Sequence, residues 1–104
     1  MSEHAKPVAV IILNWNGEKF LKEYLPSVVS HTNREIADVI VTDNGSTDNS
    51  VAILKEEFPE VKLIEFNENY GFAEGYNRAI ALIADSYKYT VLLNSDVKVD
   101  NDWL

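Results

Sequence analysis

The sequence has 104 residues and a hydrophobic fraction of 46%, which suits one small globular domain and argues against intrinsic disorder. Its net charge of -8 at pH 7 argues against a general nucleic-acid binder, because such proteins need a basic face to neutralise phosphates. The sequence contains no cysteine, which excludes disulfide bonds and thiolate metal sites.

The first predicted strand–helix unit begins with the apolar run 8–13. This run is too short for a helix and predicts a central strand. Asn16 is a suitable N-cap for the helix that follows, and Pro26 should kink that helix or divide it into two pieces. The predicted buried stripe of the helix recurs at helical spacing and consists of Phe20, Leu21, Tyr24, Leu25, Val28 and Val29.

The second and third predicted strands span residues 36–42 and 61–66. Between them, Ser46 or Thr47 should cap a second helix, which Pro59 ends. Charged residues alternate along the third strand, as is typical of an edge strand.

A third helix is predicted from about Phe72 to Asp85. Gly75 within it costs about 1 kcal/mol relative to alanine, so we expect it to permit a close backbone approach. The stretch 89–93 predicts a fourth strand that is covered on both faces, because it is apolar and contains Leu and β-branched residues. The residues of the third helix that we expect to point inward are Ala73, Tyr76, Ile80, Ile83 and Ala84.

The alternation of strands and helices predicts an α/β fold with right-handed crossovers. We expect a Rossmann-like, three-layer α/β/α arrangement with a mostly parallel sheet in the strand order 3-2-1-4. Residues 1–104 form a single domain in this prediction. Since the sequence stops soon after its fourth strand, we expect a fragment of a longer protein, and the uncovered side of that strand favours self-association.

Three polar turns follow the carboxyl ends of predicted parallel strands, at residues 14–17, 43–46 and 94–96. In an open α/β sheet these ends lie on one side, and strand 1 lies between strands 2 and 4. The three turns should therefore border a crevice at the topological switch point, which is where such sheets bind ligands. The conjunction of three turns carries more weight than any one of them. The candidate residues here are Asn14, Trp15, Asn16, Asp43, Asn44, Asn94, Ser95 and Asp96.

The key residues of these turns each have a structural alternative. Asp43 can accept from a nucleobase N–H or a ribose hydroxyl, or it can interact with a helix N-terminus. Asp96 can ligate a hard divalent cation that also holds a diphosphate, or it can bond to its own backbone in a turn. Trp15 can stack on a base or a sugar, or it can pack beneath the first helix.

Two residues of the third helix are further candidates for binding a nucleotide. Arg78 can reach a phosphate with its planar guanidinium, or it can lie on a solvated face. Asn77 follows Tyr76 of the inward stripe, so we expect a buried amide that is bonded to the 67–71 loop or faces the site. We expect His4 and His31 to be ordinary surface residues, because neither has partners at metal-ligand spacing, and we expect Asp100 and Asp102 to be solvated.

Four ordered motifs make the chain similar to family 2 glycosyltransferases of the GT-A fold. They are Val-Ile-Ile-Leu-Asn-Trp-Asn-Gly, Val-Thr-Asp-Asn-Gly-Ser-Thr-Asp-Asn-Ser, Asn-Tyr-Gly-Phe-Ala-Glu-Gly-Tyr-Asn-Arg-Ala and Leu-Leu-Asn-Ser-Asp-Val. The resemblance implies transfer of a sugar from a nucleoside diphosphate to an acceptor hydroxyl, with inversion. It also implies that Asp43 recognises the nucleobase, and that Asn14 and the residues after it touch the nucleoside.

The motif at residues 94–96 departs from the family pattern. Asn94 and Asp96 match the two ends of an Asp-x-Asp motif whose last residue binds the metal. Because Asn94 is not acidic, more of the binding of Mn2+ or Mg2+ depends on Asp96. The Asn-x-Asp-Val form is similar to bacterial rhamnosyltransferase-like members that act on cell-surface polysaccharide.

The resemblance also implies where the catalytic base lies. The family's general base is a carboxylate of the second half, so we expect it beyond Leu104, the last residue of this sequence. The catalytic residue itself is therefore unknown. We expect these 104 residues to bind the sugar nucleotide without transferring the sugar.

The expected partners are a nucleoside-diphosphate sugar and a saccharide or lipid-linked acceptor, with no nucleic acid. No apolar run reaches the roughly 20 residues that span a bilayer, and the polar start does not resemble a signal peptide. We expect a cytoplasmic protein, with the full-length form at the cytoplasmic face of the membrane. The alternative is a non-catalytic nucleotide-binding or protein-interaction module. An NAD-dependent dehydrogenase is disfavoured because the first turn has no Gly-x-Gly-x-x-Gly sequence.

Overall fold

In the computed structural model, which describes residues 6–100 and 103–104, strands and helices alternate as predicted. In chain order the elements are β1 (Val8–Asn14), α1 (Glu18–His31), β2 (Ala37–Asn44), α2 (Ser50–Glu57), β3 (Lys62–Phe66), α3 (Phe72–Ile83), a short 3-10 helix (Ala84–Ser86) and β4 (Tyr89–Leu93). Within the described ranges, the helices are too short or too polar to cross a membrane.

The four strands form one parallel sheet in the order β3-β2-β1-β4, which confirms the predicted order. Strand β1 pairs with β2 over residues 8–14 and 37–43. It pairs with β4 only over residues 8–12 and 89–93. The pairing of β1 with β4 therefore stops before β1 ends, and the sheet opens at that point.

Each face of the sheet is covered by its own hydrophobic cluster, because alternate strand residues point to opposite faces. The first cluster joins the sheet to α1 and α2, and its buried members are Ile12, Leu21, Leu25, Val28, Val39, Val41, Ile53, Leu54, Phe58, Val61 and Val99. The second joins the sheet to α3, and its buried members are Ala9, Ile11, Ile40, Tyr76 and Ala79. The predicted three-layer α/β/α arrangement is confirmed.

Helix α1 differs from its prediction in three respects. It is continuous through Pro26, so the predicted division into two pieces is wrong. Proline lacks a backbone N–H and so removes only one helical hydrogen bond. The buried residues on either side of Pro26 keep both halves of the helix packed on the sheet. Its N-cap is Gly17 rather than Asn16. Phe20, predicted to be buried, is 46% exposed, because it lies at the open end of the sheet.

Helices α2 and α3 also depart locally from the prediction. The N-cap of α2 is Asn49, not Ser46 or Thr47, because β2 runs on to Asn44 and moves the start of the helix along the chain. Gly75 is buried in α3, and a Cβ there would lie 2.9 Å from Asn44 Nδ2. The expected close approach is therefore made by a side chain rather than by backbone. Two residues predicted to point inward are exposed, namely Ala73 and Ala84.

Strand β4 is less covered than predicted. Tyr89 is 65% exposed and Leu92 is 51% exposed, so the prediction of burial on both faces is wrong. Within the described part of the chain, β4 is an edge strand that pairs with β1 alone. The partly buried residues of this strand are Val91 and Leu93.

Beyond β4, the chain returns to the end of α1. The Nδ1 atom of His31 lies 2.8 Å from the carbonyl oxygen of Val99, and Trp103 Nε1 donates to Thr32 Oγ1 at 3.0 Å. His31 thus holds this segment, and its prediction as an ordinary surface residue is wrong. Asp100 is exposed as predicted, and the predictions for His4 and Asp102 lie outside the described residues.

Candidate functional site

The carboxyl ends of β1, β2 and β4 lie on one side of the sheet, because these strands are parallel and adjacent. The turns at 14–17, 43–46 and 94–96 are therefore on this side, as the sequence predicts. Asn14 and Asp43 are the facing residues at the last pair of the β1–β2 ladder. The order of the strands has brought together side chains that are far apart in sequence.

Asp43 is the centre of a hydrogen-bonded network at this end of the sheet. Its Oδ1 accepts from Asn14 Nδ2 at 3.0 Å and from Ser46 Oγ at 2.6 Å, and its Oδ2 accepts from the Ser46 backbone N–H at 2.9 Å. Asp43 is 2% exposed, so these bonds satisfy a carboxylate that burial would otherwise destabilise. Three of its roughly four acceptor positions are used, and one remains.

The other end of the Asn14 amide has no partner among the described residues. Asn14 Oδ1 is buried and accepts no hydrogen bond there, although its Nδ2 donates to Asp43. A Cβ at position 17 would lie 2.5 Å from this oxygen, so a larger residue there would force the Asn14 amide to shift. The absence of a side chain at Gly17 leaves the space in which this amide bonds to Asp43.

Asn16 joins the turn after β1 to the turn after β2. Its Oδ1 accepts from the backbone N–H groups of Thr47 and Asp48, at 2.7 and 3.2 Å. Its own backbone N–H donates to Ser46 Oγ at 2.8 Å. Asn16 adopts φ +48°, a left-handed conformation that asparagine tolerates better than most residues. The role of Asn16 is thus to fix two turns together, not to cap its own helix.

The first turns of α1 and α2 cap one another. The backbone N–H of Glu18 donates to Asp48 Oδ2 at 3.3 Å, and the backbone N–H of Asn49 donates to Glu18 Oε1 at 3.4 Å. Burial raises the pKa of the Asp48 carboxyl, but hydrogen bonds from Ser50 and from the Glu18 N–H outweigh it, so this pKa lies below its ordinary value. Both carboxylates also interact favourably with the helix dipoles.

Asn44 ties the end of β2 to the loop before α3. Its Nδ2 donates to Asn69 Oδ1 and to the carbonyl oxygen of Gly71, both at 3.1 Å, and its Oδ1 accepts from the Tyr70 N–H at 3.0 Å. Asn44 is 2% exposed. The absence of a side chain at Gly75 leaves the space that this amide occupies.

Tyr76 bridges β1 and β4 where the two strands separate. Its hydroxyl accepts from the backbone N–H of Leu13 at 3.3 Å and donates to the carbonyl oxygen of Leu93 at 3.0 Å. Burial raises the pKa of this hydroxyl, which keeps it protonated and able to donate. Since Asn94 follows Leu93 directly, Tyr76 positions the 94–96 turn relative to β1.

An open cleft of about 320 Å3 lies beside this bridge, and we call it the aromatic cleft. It is lined by Leu13, Phe20, Phe72, Tyr76, Asn94, Ser95 and Asp96. The predicted residues of the third turn therefore share one concave surface with residues of β1, α1 and α3. Asn94 and Asp96 are exposed to solvent there.

The oxygen ligands in the aromatic cleft suit a hard divalent cation that is shared with a ligand. Asp96 supplies a carboxylate, and Asn94 and Ser95 supply neutral oxygens. Mg2+ and similar ions are commonly bound through one or two carboxylates together with phosphates and water. Across residues 6–100 and 103–104, no three acidic or histidine side chains gather to form a complete metal site. One carboxylate and two neutral oxygens therefore leave several of the coordination positions of such an ion to be filled by other ligands.

The remaining predicted site residues lie on the surface. Trp15 is 53% exposed, which favours stacking over the alternative of packing beneath α1. Asn77 is exposed, so the prediction of a buried amide is wrong; a step of one residue along the helix turns it away from the inward stripe. Arg78 lies 3.8 Å above the Tyr70 ring and 2.7 Å from Glu74 Oε2, which matches the surface alternative.

A larger cavity, of about 710 Å3, lies at the opposite end of the sheet, near the start of β2. One of its lining carboxylates is paired: Lys6 Nζ, also in the lining, lies 3.2 Å from Asp38, and Lys62 Nζ lies 3.0 Å from the same carboxylate. Burial raises the pKa of Asp38, but hydrogen bonds from Tyr87 and the two lysines outweigh it and hold this pKa below its ordinary value.

Sequence reasoning missed the roles of Tyr76, Asp48 and Glu18, and it considered Ser46 only as a helix cap. The spacing Asp43 to Ser46 is typical of a side-chain-closed turn, so Ser46 was within reach of the sequence. Nothing in the local sequence indicates that the Tyr76 hydroxyl meets a strand 63 residues away. The mutual capping of α1 and α2 likewise joins residues about 30 positions apart.

Comparisons with known sequences give a consistent result. The profile of the family described as Glycosyl transferase family 2 matches residues 9–104. An uncharacterized glycosyltransferase of Methanocaldococcus jannaschii is 33% identical, with 92% of this chain and 34% of that protein covered. An N-acetylglucosaminyl-diphospho-decaprenol L-rhamnosyltransferase of Mycobacterium tuberculosis is 29% identical, with 73% of this chain and 24% of that protein covered. The chain thus spans about a quarter to a third of the length of these curated relatives.

Solved structures show the same fold. TarS 1-349 of S. aureus in complex with UDP-GlcNAc superposes with a TM-score of 0.78 at 22% identity, covering 92% of this chain and 28% of that one. The mannosyltransferase PcManGT of Pyrobaculum calidifontis in complex with GDP-Man and Mn2+ superposes with a TM-score of 0.72 at 22% identity, covering 93% of this chain and 29% of that one. The predicted GT-A type of sheet is confirmed as a fold.

Proposed function

Because this chain belongs to glycosyl transferase family 2, we propose that it is the sugar-nucleotide-binding part of an enzyme that transfers a sugar to an acceptor hydroxyl. The observation that carries the proposal is the convergence at the carboxyl side of the sheet, where Asn14 bonds directly to Asp43 and the 94–96 turn lines a cleft beside Leu13. The presence of UDP-GlcNAc and GDP-Man in proteins of the same fold supports it.

In this proposal the nucleoside lies against the turns after β1 and β2. Asp43 has one acceptor position left, which suits a nucleobase N–H, and the exposed ring of Trp15 suits stacking. Asn16 and Asn44 use their side chains to join neighbouring loops. We assign them the task of holding Asp43 and Ser46 in place, rather than direct contact with the nucleotide.

The diphosphate lies beside the 94–96 turn in this proposal. Asp96, with oxygens of Asn94 and Ser95, would hold Mn2+ or Mg2+, and a bound cation supplies positive charge that stabilises the diphosphate leaving group. The carboxylate of Asp96 and a diphosphate are both negative, so a cation held between them would offset their repulsion.

The acceptor hydroxyl needs a general base near the sugar, and three described aspartates on this side of the sheet suit that task poorly. Asp43 is buried in its network, Asp48 has a lowered pKa, and Asp96 is assigned to the cation. The base predicted beyond Leu104 lies outside the described residues, so its position stays a prediction. We therefore propose that these 104 residues bind the sugar nucleotide and do not transfer the sugar alone.

The finer features of the reaction belong to the same proposal. They are inversion at the sugar, a saccharide or lipid-linked acceptor, a role in cell-surface polysaccharide and a place at the cytoplasmic face of the membrane. The similarity to a rhamnosyltransferase whose name includes a diphospho-decaprenol acceptor supports a lipid-linked acceptor.

One side of β4 pairs with no strand among residues 6–100 and 103–104, which supports a further part of the proposal, self-association of this chain. The strand carries no charge between Tyr89 and Leu93, and Leu92 is 51% exposed. Such an edge readily pairs with another strand. Light scattering should show a mass that rises with concentration, and Leu92→Lys should suppress the rise; a constant monomer mass would contradict this part.

Isothermal titration calorimetry tests the proposed function. UDP and dTDP should each be titrated with and without Mn2+, and at least one should bind more tightly with the cation by about tenfold, or ~1.4 kcal/mol. Asp96→Ala should abolish the Mn2+ effect. Asp85→Ala, which removes an exposed carboxylate of the 3-10 helix that follows α3, is the matched control and should retain it. Indifference of wild-type binding to Mn2+, or an unchanged Mn2+ effect in Asp96→Ala, would refute the role of Asp96.

A further inference from the structure

The chain after the 94–96 turn returns to α1 and is bonded there through the backbone of one residue, Val99. Its N–H donates to Ser27 Oγ at 3.2 Å, and its carbonyl oxygen lies 2.8 Å from His31 Nδ1. Ser27 and His31 both belong to α1 and have i, i+4 spacing, so they lie on the same face of the helix, about one turn apart. Two side chains of one helix therefore bind both polar backbone groups of Val99.

Among the described residues, no strand supplies these hydrogen bonds, because residues 97–100 lie outside the sheet. The side chain of Val99 is nevertheless buried in the first hydrophobic cluster, and Val97 packs against that cluster. A backbone N–H and C=O beside a buried side chain need hydrogen-bond partners. Ser27 and His31 are these partners, so they hold Val99 on α1.

The chemistry of the two side chains fixes the direction of each bond. The Ser27 hydroxyl donates to the carbonyl oxygen of Tyr24 at 2.9 Å, which leaves its lone pairs to accept from Val99. A carbonyl oxygen can only accept, so the His31 ring carries a proton on Nδ1. Alanine lacks this donor, whereas asparagine retains one, because its amide nitrogen is bonded to Cγ as Nδ1 is in histidine.

The other end of the same stretch is fixed as well. Leu93, the last residue of β4, accepts from the Tyr76 hydroxyl at 3.0 Å through its carbonyl oxygen. Residues 94–98, which include Asp96, therefore lie between one fixed point on α3 and a second on α1. A ligand-binding side chain on a stretch that is held at both ends loses less conformational entropy on binding than one on a stretch with a free end.

We infer that His31 is a positioning residue for the cation at Asp96, and that Ser27 assists it. Both act through the backbone of Val99 and have no contact with the cation. This inference rests on the proposed function, which places Mn2+ or Mg2+ on Asp96. It makes the cation site depend on a side chain of α1 that lies outside the lining of the aromatic cleft.

A positioning role and a purely stabilising role of His31 differ in what they change. If His31 positions Asp96, its removal weakens the part of nucleotide binding that depends on Mn2+. Binding without Mn2+ then stays the same, since the turns after β1 and β2 are held by their own hydrogen bonds. If His31 only stabilises the fold, its removal lowers Tm, and the effect of Mn2+ on the folded chain is unchanged.

Calorimetry with UDP and dTDP, each with and without Mn2+, measures the metal-dependent part at a temperature where circular dichroism shows every variant folded. For a nucleotide that wild type binds about tenfold more tightly with Mn2+, His31→Ala should reduce this enhancement to about threefold or less, and His31→Asn should restore it. Ser27→Ala removes the partner of the Val99 N–H and should also reduce the enhancement. Ser30→Ala makes the same change at an exposed residue of the same helix and should leave the enhancement intact.

Backbone 15N relaxation of the ligand-free chain gives a readout that needs no nucleotide. The amide order parameters of residues 94–98 should fall in His31→Ala and Ser27→Ala, and they should match wild type in His31→Asn and Ser30→Ala. If His31→Ala does not fold, the comparison of Ser27→Ala with Ser30→Ala decides by the same two measurements.

The outcomes separate this inference from the proposed function. If wild type shows the Mn2+ enhancement and both His31→Ala and Ser27→Ala retain it in full, the inference is wrong and the role of Asp96 stands, whatever the order parameters show. Failure of His31→Asn to restore the enhancement, or an equal loss in Ser30→Ala, also overturns the inference, because the hydrogen bond to Val99 is then not the cause. If wild type shows no enhancement by Mn2+, the proposed role of Asp96 and this inference both fail.

Discussion

Replacement of Asn16 tests the connection between the first two turns. Alanine in the left-handed conformation found at this position, φ +48°, costs about 1 kcal/mol more than glycine. The two bonds that Asn16 Oδ1 accepts from backbone N–H groups, at 2.7 and 3.2 Å, lie in an exposed turn, so they contribute about 0.5 kcal/mol each. Asn16→Ala should therefore lower the free energy of unfolding by about 2 kcal/mol, and Asn16→Gly by about 1 kcal/mol.

Urea unfolding followed by circular dichroism measures these changes. With an m-value of about 1–1.5 kcal/mol per molar urea for a chain of this size, Asn16→Ala should move the midpoint down by about 1.3–2 M and Asn16→Gly by roughly half as much. Asn16→Asp retains the accepting oxygen and should stay close to wild type. If the alanine and glycine variants lose the same free energy of unfolding, the role of backbone strain at this position is refuted. No loss in the glycine variant would refute the role of the two bonds.

Three further predictions concern other parts of the site. Tyr76→Phe leaves a strand N–H and C=O without their hydrogen-bond partner and should lower the free energy of unfolding by about 1–3 kcal/mol. Tyr89→Phe, at an exposed residue, is the control and should not lower it. Equal urea midpoints of the two variants would contradict the bridging role of the Tyr76 hydroxyl. The folded-state pKa of Asp48 lies below its ordinary value, so its stabilisation is present above the unfolded pKa of about 3.9 and is lost as pH falls through the folded pKa. Asp48→Asn should therefore flatten the fall of Tm with acid, and an unchanged profile would count against that contribution. Gly75→Ala should destabilise the folded state by about 1–3 kcal/mol, because the added methyl group overpacks against Asn44. This loss opposes the helix propensity of alanine, which favours the variant by about 1 kcal/mol. A higher urea midpoint for Gly75→Ala than for wild type would exclude the close contact.

The order of the strands was accessible from the sequence because each strand is a separate apolar run with a helix-forming stretch after it. Residues 8–14 and 37–44 are buried along nearly their whole length, which marks them as central strands. Residues 62–66 carry two charged side chains, Lys62 and Glu65, and lie at one edge. The burial of β4 could not be judged in this way, because an apolar composition does not say which elements of the described chain pack on its outer side.

The details of the turns were less accessible, because local signals compete with partners that are distant in sequence. Asparagine is a residue type that commonly caps helices, yet the side-chain oxygen of Asn16 bonds to the turn after β2. Proline commonly breaks helices, yet α1 continues through Pro26, because burial of the residues around it stabilises the helix by more than one lost hydrogen bond costs. In each case tertiary contacts decide between two conformations that the local sequence allows.

The convergence of three turns on one ligand can be tested by NMR on the 15N-labelled chain. Titration with UDP or dTDP and Mn2+ should perturb the amide signals of residues 14–17 and 43–46, and the paramagnetic ion should broaden those of residues 94–96 most strongly. Asp96→Ala should remove the broadening. Perturbation confined to the cavity at the opposite end of the sheet, around Lys6 and Asp38, would contradict the proposed site.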